Sequence, residues 1–289
     1  MTIWNLGSIN ADMVYAMPHL PGPGETLAAT AFNRFLGGKG ANMSVAAARA
    51  AAHVCHIGAV GPDGGWAAER LLEYGVDTRH IRQVDTPTGH AIIAVDPQGE
   101  NHIILYPGAN QRIPDTDVDQ ALSMAQTGDL LLCQNETNAQ RHAIARGRQM
   151  GLRTCYAAAP FDADAVRAVI DDLDFLILNA VEAEQLQQAT GVAPQDLPVA
   201  DVIVTLGGDG ARHIGPQGLI TDYPALPVTP VDSTGAGDTF TGYVLAGLDR
   251  GLPMPQSIAQ ASRAAAIMVT RHGTADVIPD LRDVQEFRP

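Results

Sequence analysis

The sequence predicts an α/β protein in which a parallel sheet is covered by helices on both faces, a three-layer sandwich. Two observations carry this. Short runs rich in Val, Ile and Leu alternate with amphipathic or Ala-rich segments, and the alternation persists along most of the 289 residues. Strands separated by helices in this way pair in parallel, with the crossovers packed on the two faces. In such sheets ligands bind beyond the carboxyl ends of the strands.

Buried strands are predicted at 3–9, 54–60, 130–133, 154–158, 175–178 and 202–206. Helices are predicted at 41–52, 65–74, 117–125, 139–150, 163–170, 181–190, 236–250 and 256–271. Two stretches break the alternation. Residues 11–36 contain Pro18, Pro21, Pro23 and Gly24, followed by a short polar-apolar run. Residues 89–106 read as two strands, 90–95 and 102–106, joined by Asp96-Pro97-Gln98-Gly99-Glu100, which has the turn chemistry of a hairpin tip. The two insertions either pair as a small separate sheet or decorate the surface.

Composition narrows the function. A formal net charge of −14 argues against nucleic acid, whose phosphates demand a basic surface. It leaves phosphorylated small ligands open, because backbone N–H groups and helix N-termini hold phosphate without side-chain charge. Cys55, Cys133 and Cys155 are too few and too scattered for a disulfide framework or a CxxC zinc site. The N-terminal stretch lacks the basic region and apolar core of a signal peptide. No apolar run approaches the ~18 residues of a membrane span. A cytoplasmic protein without a membrane partner is expected.

Five constellations carry candidate chemistry. Asp232-Ser233-Thr234-Gly235-Ala236-Gly237-Asp238 runs from an extended segment at 226–231 into a helix. Glycines at a helix start let the backbone approach a ligand, and free N–H groups there attract negative charge. Asp238 is either a first-turn cap or the base of a phosphoryl transfer. Gly37-Gly38-Lys39-Gly40-Ala41-Asn42 also precedes a helix, as a flexible turn or as a tight corner presenting Asn42 and backbone to a polar ligand. Asn10 and Asp12 leave the first strand on one side, as turn formers or as ligands. Asn179 and Glu182 have capping-box spacing, which beside a phosphate site also suits hydrated magnesium. Thr205-Leu206-Gly207-Gly208-Asp209-Gly210 ends a strand, as a hairpin turn or a backbone surface for a nucleotide. No GxxxxGK[ST] loop occurs, and Gly235 to Phe240 does not complete the dinucleotide pattern. The histidines show no HExxH or clustered spacing, and His53, His56, His90 and His102 read as structural.

Together these motifs resemble the ribokinase-like (PfkB) carbohydrate kinases, in order and over nearly the whole chain. The glycine-rich corner at Gly37 to Asn42 and the Asp232 to Asp238 run carry the resemblance, with Gly7-Ser8-Ile9-Asn10-Ala11-Asp12 in support. It implies one α/β domain over residues 1–289 with β-lid segments near 11–36 and 89–106, dimerised through the lid. It implies ATP-dependent phosphorylation of a small sugar, D-ribose foremost, with a nucleoside or another sugar, or a non-catalytic sugar-binding role, as alternatives.

By the same resemblance Asn10, Asp12, Gly38, Lys39, Asn42 and Glu136 hold sugar hydroxyls, and Ala91, Ile93 and Leu105 form the lid face. Asp238 takes the proton, and the amides of Gly235, Ala236, Gly237 and Asp238 stabilise the moving phosphoryl group. Asn179 and Glu182 position Mg-ATP, while Thr205, Gly207 and Gly210 line the nucleotide site. Asp232, Thr234, Arg271 and Gly273 match the segments of a monovalent-cation site. Val277 stands where a small hydroxylated residue is expected, so only backbone carbonyls remain there for potassium. The family's helix between 191 and 201 is replaced by a short connection, an expected change of surface.

Overall fold

The computed structural model describes residues 1–288. In chain order the strands are β1 Thr2–Leu6, β2 Asn10–Ala16, β3 Ala31–Gly37, β4 His53–Val60, β5 Asp77–Gln83, β6 Gly89–Val95 and β7 Asn101–Tyr106. They continue with β8 Leu130–Gln134, β9 Arg153–Ala157, β10 Phe175–Asn179, β11 Asp201–Thr205, β12 Ala211–Ile214 and β13 Ile220–Tyr223. The helices are α1 Lys39–Arg49, α2 Gly65–Glu73, α3 Asp115–Leu122, α4 Gln140–Gln149, α5 Ala163–Arg167, α6 Ala180–Thr190, α7 Ala236–Asp249, α8 Met254–Met268 and α9 Leu281–Glu286.

Nine strands form one sheet in the order β13-β12-β11-β10-β9-β8-β1-β4-β5. Pairing is parallel from β11 to β5, and antiparallel only where β12 and β13 are added at the edge. Side chains alternate across a strand, and the two layers divide accordingly. Ile3, Leu130, Leu132, Phe175 and Ile177 point into a core with α1, α2, α7, α8 and α9. Trp4, Leu131, Cys133, Leu176 and Leu178 point into the opposite core with α3 to α6. Strands such as Leu130-Leu131-Leu132-Cys133-Gln134 are buried on both faces. Each such Leu contributes about 1.5–3 kcal/mol of burial. Among the described residues no helix is long and apolar enough to cross a membrane.

The two insertions pair with each other as a second sheet, β3-β2-β6-β7. β2 lies parallel to β6 and antiparallel to β3, and β6–β7 is the expected hairpin. Asp96 builds its tip, accepting the N–H groups of Gln98 and Glu100 at 2.9 and 3.0 Å.

Several expectations are corrected. The strand expected over 3–9 ends at Leu6. There the chain crosses between sheets, because Gly7 donates to Ile57 O at 3.0 Å and Ser8 O accepts from Ala41 N at 2.9 Å. The extended segment at 226–231 joins neither sheet; Val231 N instead bonds Val269 O at 2.7 Å. Helix 163–170 stops at Arg167 and is followed by a 3-10 turn at Ile170–Asp172, and the helix expected from 256 begins at Met254. β5, β12, β13 and α9 had no strong apolar signal. The connection from Gly191 to Asp201 holds only a 3-10 turn at Pro194–Asp196.

Candidate active site

The glycines of the corner before α1 are there for close approach. Gly38 has φ 94°, and a Cβ on it would lie 2.9 Å from Ser8 O. A Cβ on Gly40 would lie 2.3 Å from Gly7 Cα, so the two backbones touch. A Cβ on Gly37 would fall 2.0 Å from Asp12 Oδ2, so the Asp12 carboxylate rests on bare glycine. Asn10 pairs with Gly37 and Asp12 with Phe35, which places the start of β2 beside the end of β3.

A buried polar chain fixes this corner from behind. Gln134 Nε2 donates to Asn5 Oδ1 at 2.8 Å, and Asn5 Nδ2 donates to Gly40 O and to Ser44 Oγ, each at 2.8 Å. Ser44 Oγ lies 2.8 Å from His56 Nδ1, and His56 Nε2 lies 3.0 Å from Gly7 O. Burial depresses the His56 pKa to about 4, against a smaller upward effect of the Gly7 carbonyl. The ring is therefore neutral, donating from Nε2 and accepting at Nδ1. His56 is structural, as its strand context suggested.

Glu136, in the turn after β8, closes the front. Its Oε2 accepts from Lys39 N at 3.0 Å and from the Ser8 hydroxyl, and Ser8 Oγ in turn accepts from Gly40 N at 3.2 Å. Asn110 Nδ2 donates to Asn10 Oδ1 at 2.7 Å. Ser8 and Asn110 drew no role from the sequence; Ser8 lies inside the quoted Gly7 to Asp12 run, and Asn110 had no signal.

Asp238 occupies the first turn of α7, behind the left-handed Gly235 at φ 74°, and no side chain caps that helix. The carboxylate is 7% exposed and accepts from Asn42 Nδ2 at 2.9 Å. It is thus held across the site rather than folded back on its own helix. Ala236 N already donates to Ser233 O at 3.2 Å, whereas Gly237 N and Asp238 N have no backbone acceptor among the described residues.

The charges converge. Lys39 is raised above its ordinary pKa by Asp238 first, with burial opposing and Glu136 and Glu182 adding. Asp12 is pushed from 3.8 to about 7 by burial, then by Glu136 and Asp238. Glu182 is raised by burial, against the Asn179 N–H and Lys39, with Asp238 adding to the rise. Segments far apart in sequence share one electrostatic field around a single ammonium.

Asn179 and Glu182 make a full capping box, each backbone N–H meeting the other's side chain at 2.8 Å. The capping reading is therefore correct, and of the two side chains Glu182 shares the electrostatic field of Lys39. Asn179 and Thr205 are register partners at adjacent strand ends. Gly207 and Gly210 have φ of 59° and 106° in the turn between β11 and β12. A Cβ on Gly210 would meet Tyr223 O at 2.0 Å, so that glycine is required by the close approach of the end of β13. On the second sheet Ala91 is the register partner of Asp12 and of Leu105, and Ile93 lies two residues on, so all three share the Asp12 face. Ala91 is buried, and Leu105 is 50% exposed.

The cation-site candidates come together only in part. Asp232 Oδ1 accepts from Thr234 N at 2.9 Å and Oδ2 from Gly273 N at 3.3 Å, which ties the two segments. Burial opposes ionisation of Asp232, but the contacts with Thr234 and Gly273 more than offset it and hold the carboxyl below its ordinary range. The Arg271 guanidinium turns away, donating to Val277 O at 3.1 Å and facing Asp283 at 3.6 Å.

A parallel sandwich with a small second sheet rooted at its glycine-rich corner, and a carboxylate after a glycine-rich helix start, has the parts of an ATP-dependent carbohydrate kinase. Sequence comparison agrees: residues 3–281 match the pfkB family carbohydrate kinase profile. The chain belongs to the PfkB family of carbohydrate kinases. It is 34% identical to a ribokinase of Haemophilus influenzae, over 99% of this chain and 98% of that one. It is 30% identical to a deoxyribokinase of Salmonella typhi, over 99% and 98%. The solved ribokinase of Arabidopsis thaliana, complexed with ribose and ATP, superposes with TM-score 0.85 at 27% identity, over 99% of both chains.

Proposed function

We propose that the protein transfers the γ-phosphoryl group of ATP to the primary hydroxyl of D-ribose, giving ribose 5-phosphate and ADP. The observation that carries this is the bond from Asn42, in the glycine-rich corner, to the buried Asp238 at the start of α7. It joins the acceptor side of the site to a carboxylate base. The resemblance in sequence to ribokinases supports ribose as the acceptor.

Asn10, Asp12, Gly38, Lys39, Asn42 and Glu136 hold the sugar beneath Ala91, Ile93 and Leu105. Asp238 accepts the proton of the hydroxyl as its oxygen bonds to the γ-phosphorus and the bond to the ADP oxygen breaks. Free N–H groups at the start of α7, with Gly235 and Ala236 shaping the turn, face the charge that develops on the moving group. The nucleotide enters as its magnesium complex, positioned by Asn179 and Glu182 and lined by Thr205, Gly207 and Gly210. An excess of carboxylates over one ammonium favours a nucleotide whose charge is already partly neutralised. Asp232, Thr234 and Gly273 hold the loop beside α7, with backbone carbonyls as the only potassium ligands at Val277.

Two wider expectations belong to the same reading. Phe32, Ile92, Ile103, Ile104, Leu105 and Tyr106 are exposed apolar side chains on the lid sheet, which suits dimerisation through it. The three cysteines are unpaired and buried, as in a reducing cytoplasm. The deoxyribokinase relative makes 2-deoxyribose the competing acceptor. ADP release across ribose, 2-deoxyribose, other sugars and nucleosides tests the proposal; turnover of a nucleoside with none of ribose refutes it.

A further inference from the structure

Asn110 lies outside the set of residues that hold the sugar, yet its hydrogen bonds decide what one of them offers. It sits in the 3-10 turn Gly108–Gln111, is 1% exposed, and contacts β2 at its root. Its Oδ1 accepts from Ile9 N at 2.9 Å; its Nδ2 donates to Asn10 Oδ1 at 2.7 Å and to Ile9 O at 3.3 Å. The order of these bonds is forced. A backbone N–H can only donate, so Asn110 must turn its oxygen to Ile9 and its amide nitrogen to Asn10. Asn10 must then turn its own oxygen inward. Rotating Asn10 alone would set two NH2 groups face to face, and rotating both would leave the Ile9 N–H against a donor.

The space for this pair is reserved. A Cβ on Gly89 would lie 2.2 Å from Asn110 Nδ2 and 2.5 Å from Asn10 Oδ1. The turn that delivers Asn110 begins at Gly108, whose φ is 50° and whose Cβ would meet Pro87 O at 2.4 Å.

We infer that Asn110 is a positioning residue that fixes Asn10 as a donor only, and thereby tunes the site to a sugar bearing a hydroxyl beside the Asn10 amide. This rests on the ribose reading above. Two residues along the same face of β2, Asp12 is an acceptor when ionised. One hydroxyl can accept from Asn10 and donate to Asp12, satisfying both. A methylene at that carbon leaves both groups unpaired, a discrimination apolar contacts do not match. Ribose and 2-deoxyribose differ by such a group.

The test is steady-state kinetics with both sugars for the wild type, Asn110→Asp and Asn110→Ala. Asn110→Asp keeps the shape but replaces the donor with an acceptor. Each variant is expected to lower the ribose-to-deoxyribose ratio of kcat/KM by roughly tenfold, through sugar KM, with KM for ATP within about twofold. Melting is measured alongside, and Asn110→Ser replaces any variant that does not fold. In an Asn10→Ala background the effect of Asn110 on that ratio is expected to vanish, which a merely structural role would not produce. An unchanged ratio, or an effect that persists without Asn10, overturns the inference while leaving ribose phosphorylation standing. A wild type that does not phosphorylate ribose removes both.

Discussion

Asn42 Nδ2 and Asp238 Oδ2 lie 2.9 Å apart although 196 residues separate them. Each stands in the first turn of its helix, and α1 and α7 are pressed together so closely that a Cβ on Gly242 would fall 2.6 Å from Met43 O and from Ala46 Cβ. Helix packing therefore sets the place of the carboxylate. Asn42 Oδ1 is buried without a partner among the described residues, an acceptor left unsatisfied beside the Asp238 contact.

Loss of that bond should be felt in turnover. A hydrogen bond to a charged group contributes about 1.5–3 kcal/mol, so Asn42→Ala is expected to lower kcat/KM by roughly 10- to 100-fold. Steady-state assays, with melting to confirm the fold, check this; a change of less than about threefold would mean Asp238 needs no such support.

Asp238→Asn keeps the shape and the contact with Asn42 but removes the base. Turnover should fall by roughly 10²–10⁴-fold, while calorimetry finds ribose binding largely intact. Wild-type turnover in this variant sinks the assignment.

Asp12 gives the protein two opposite responses to pH. Its native pKa is raised from 3.8 to about 7. The native protein thus keeps a proton that the unfolded chain releases between those values. The stability contributed by this group is full below 3.8 and is lost as pH rises through 7. Sugar affinity runs the other way, because a hydroxyl donates to the ionised form. Between about pH 6 and about pH 8 sugar KM should fall by roughly tenfold while the melting temperature of the free protein declines. Asp12→Asn should flatten both profiles; a persistent slope in either would point to another group.

Gly37→Ala should separate binding from folding. Its methyl group would occupy the position of Asp12 Oδ2. That carboxylate is the end of a rotatable side chain, so the fold can yield by moving it. Sugar KM should rise by roughly tenfold or more, with melting lowered by only a few degrees. Unchanged sugar KM would show that Asp12 does not contact the sugar.

Potassium and sodium should support turnover equally. Val277 brings its two methyl groups to 3.3 and 3.4 Å from a Cβ placed on Gly273, and Arg271 is drawn away to Val277 O and Asp283. Potassium chloride and sodium chloride screen charge alike at equal concentration, so rates in the two salts should agree within about twofold. A large potassium advantage would mean that backbone carbonyls suffice.

How much of this was legible depended on where the signal resided. The inner strands were readable because burial on both faces makes them continuously apolar, as in β8 and β11. β5, Asp-Thr-Arg-His-Ile-Arg-Gln, was not, because an edge strand keeps polar side chains toward solvent. Asp238 and Lys39 were legible through the glycines that shape their turns. The Asn42–Asp238 bond was not, since it depends on how two helices meet. Asn110 was invisible for a similar reason: its partners are Ile9 and Asn10, at a separation of 101 and 100 residues.

The second sheet has its roots at Asn10 and Gly37 and its far end beyond Ala16 and Ala31, so its tip is remote from Asn10, Asp12 and Gly37. All three native thiols are buried, Cys55 at 1% and Cys133 and Cys155 at 0%. An Ala28→Cys substitution on the exposed tip would therefore offer maleimide dyes a single reactive sulfur. Any movement of the second sheet could then be followed by fluorescence on a molecule that retains its own cysteines.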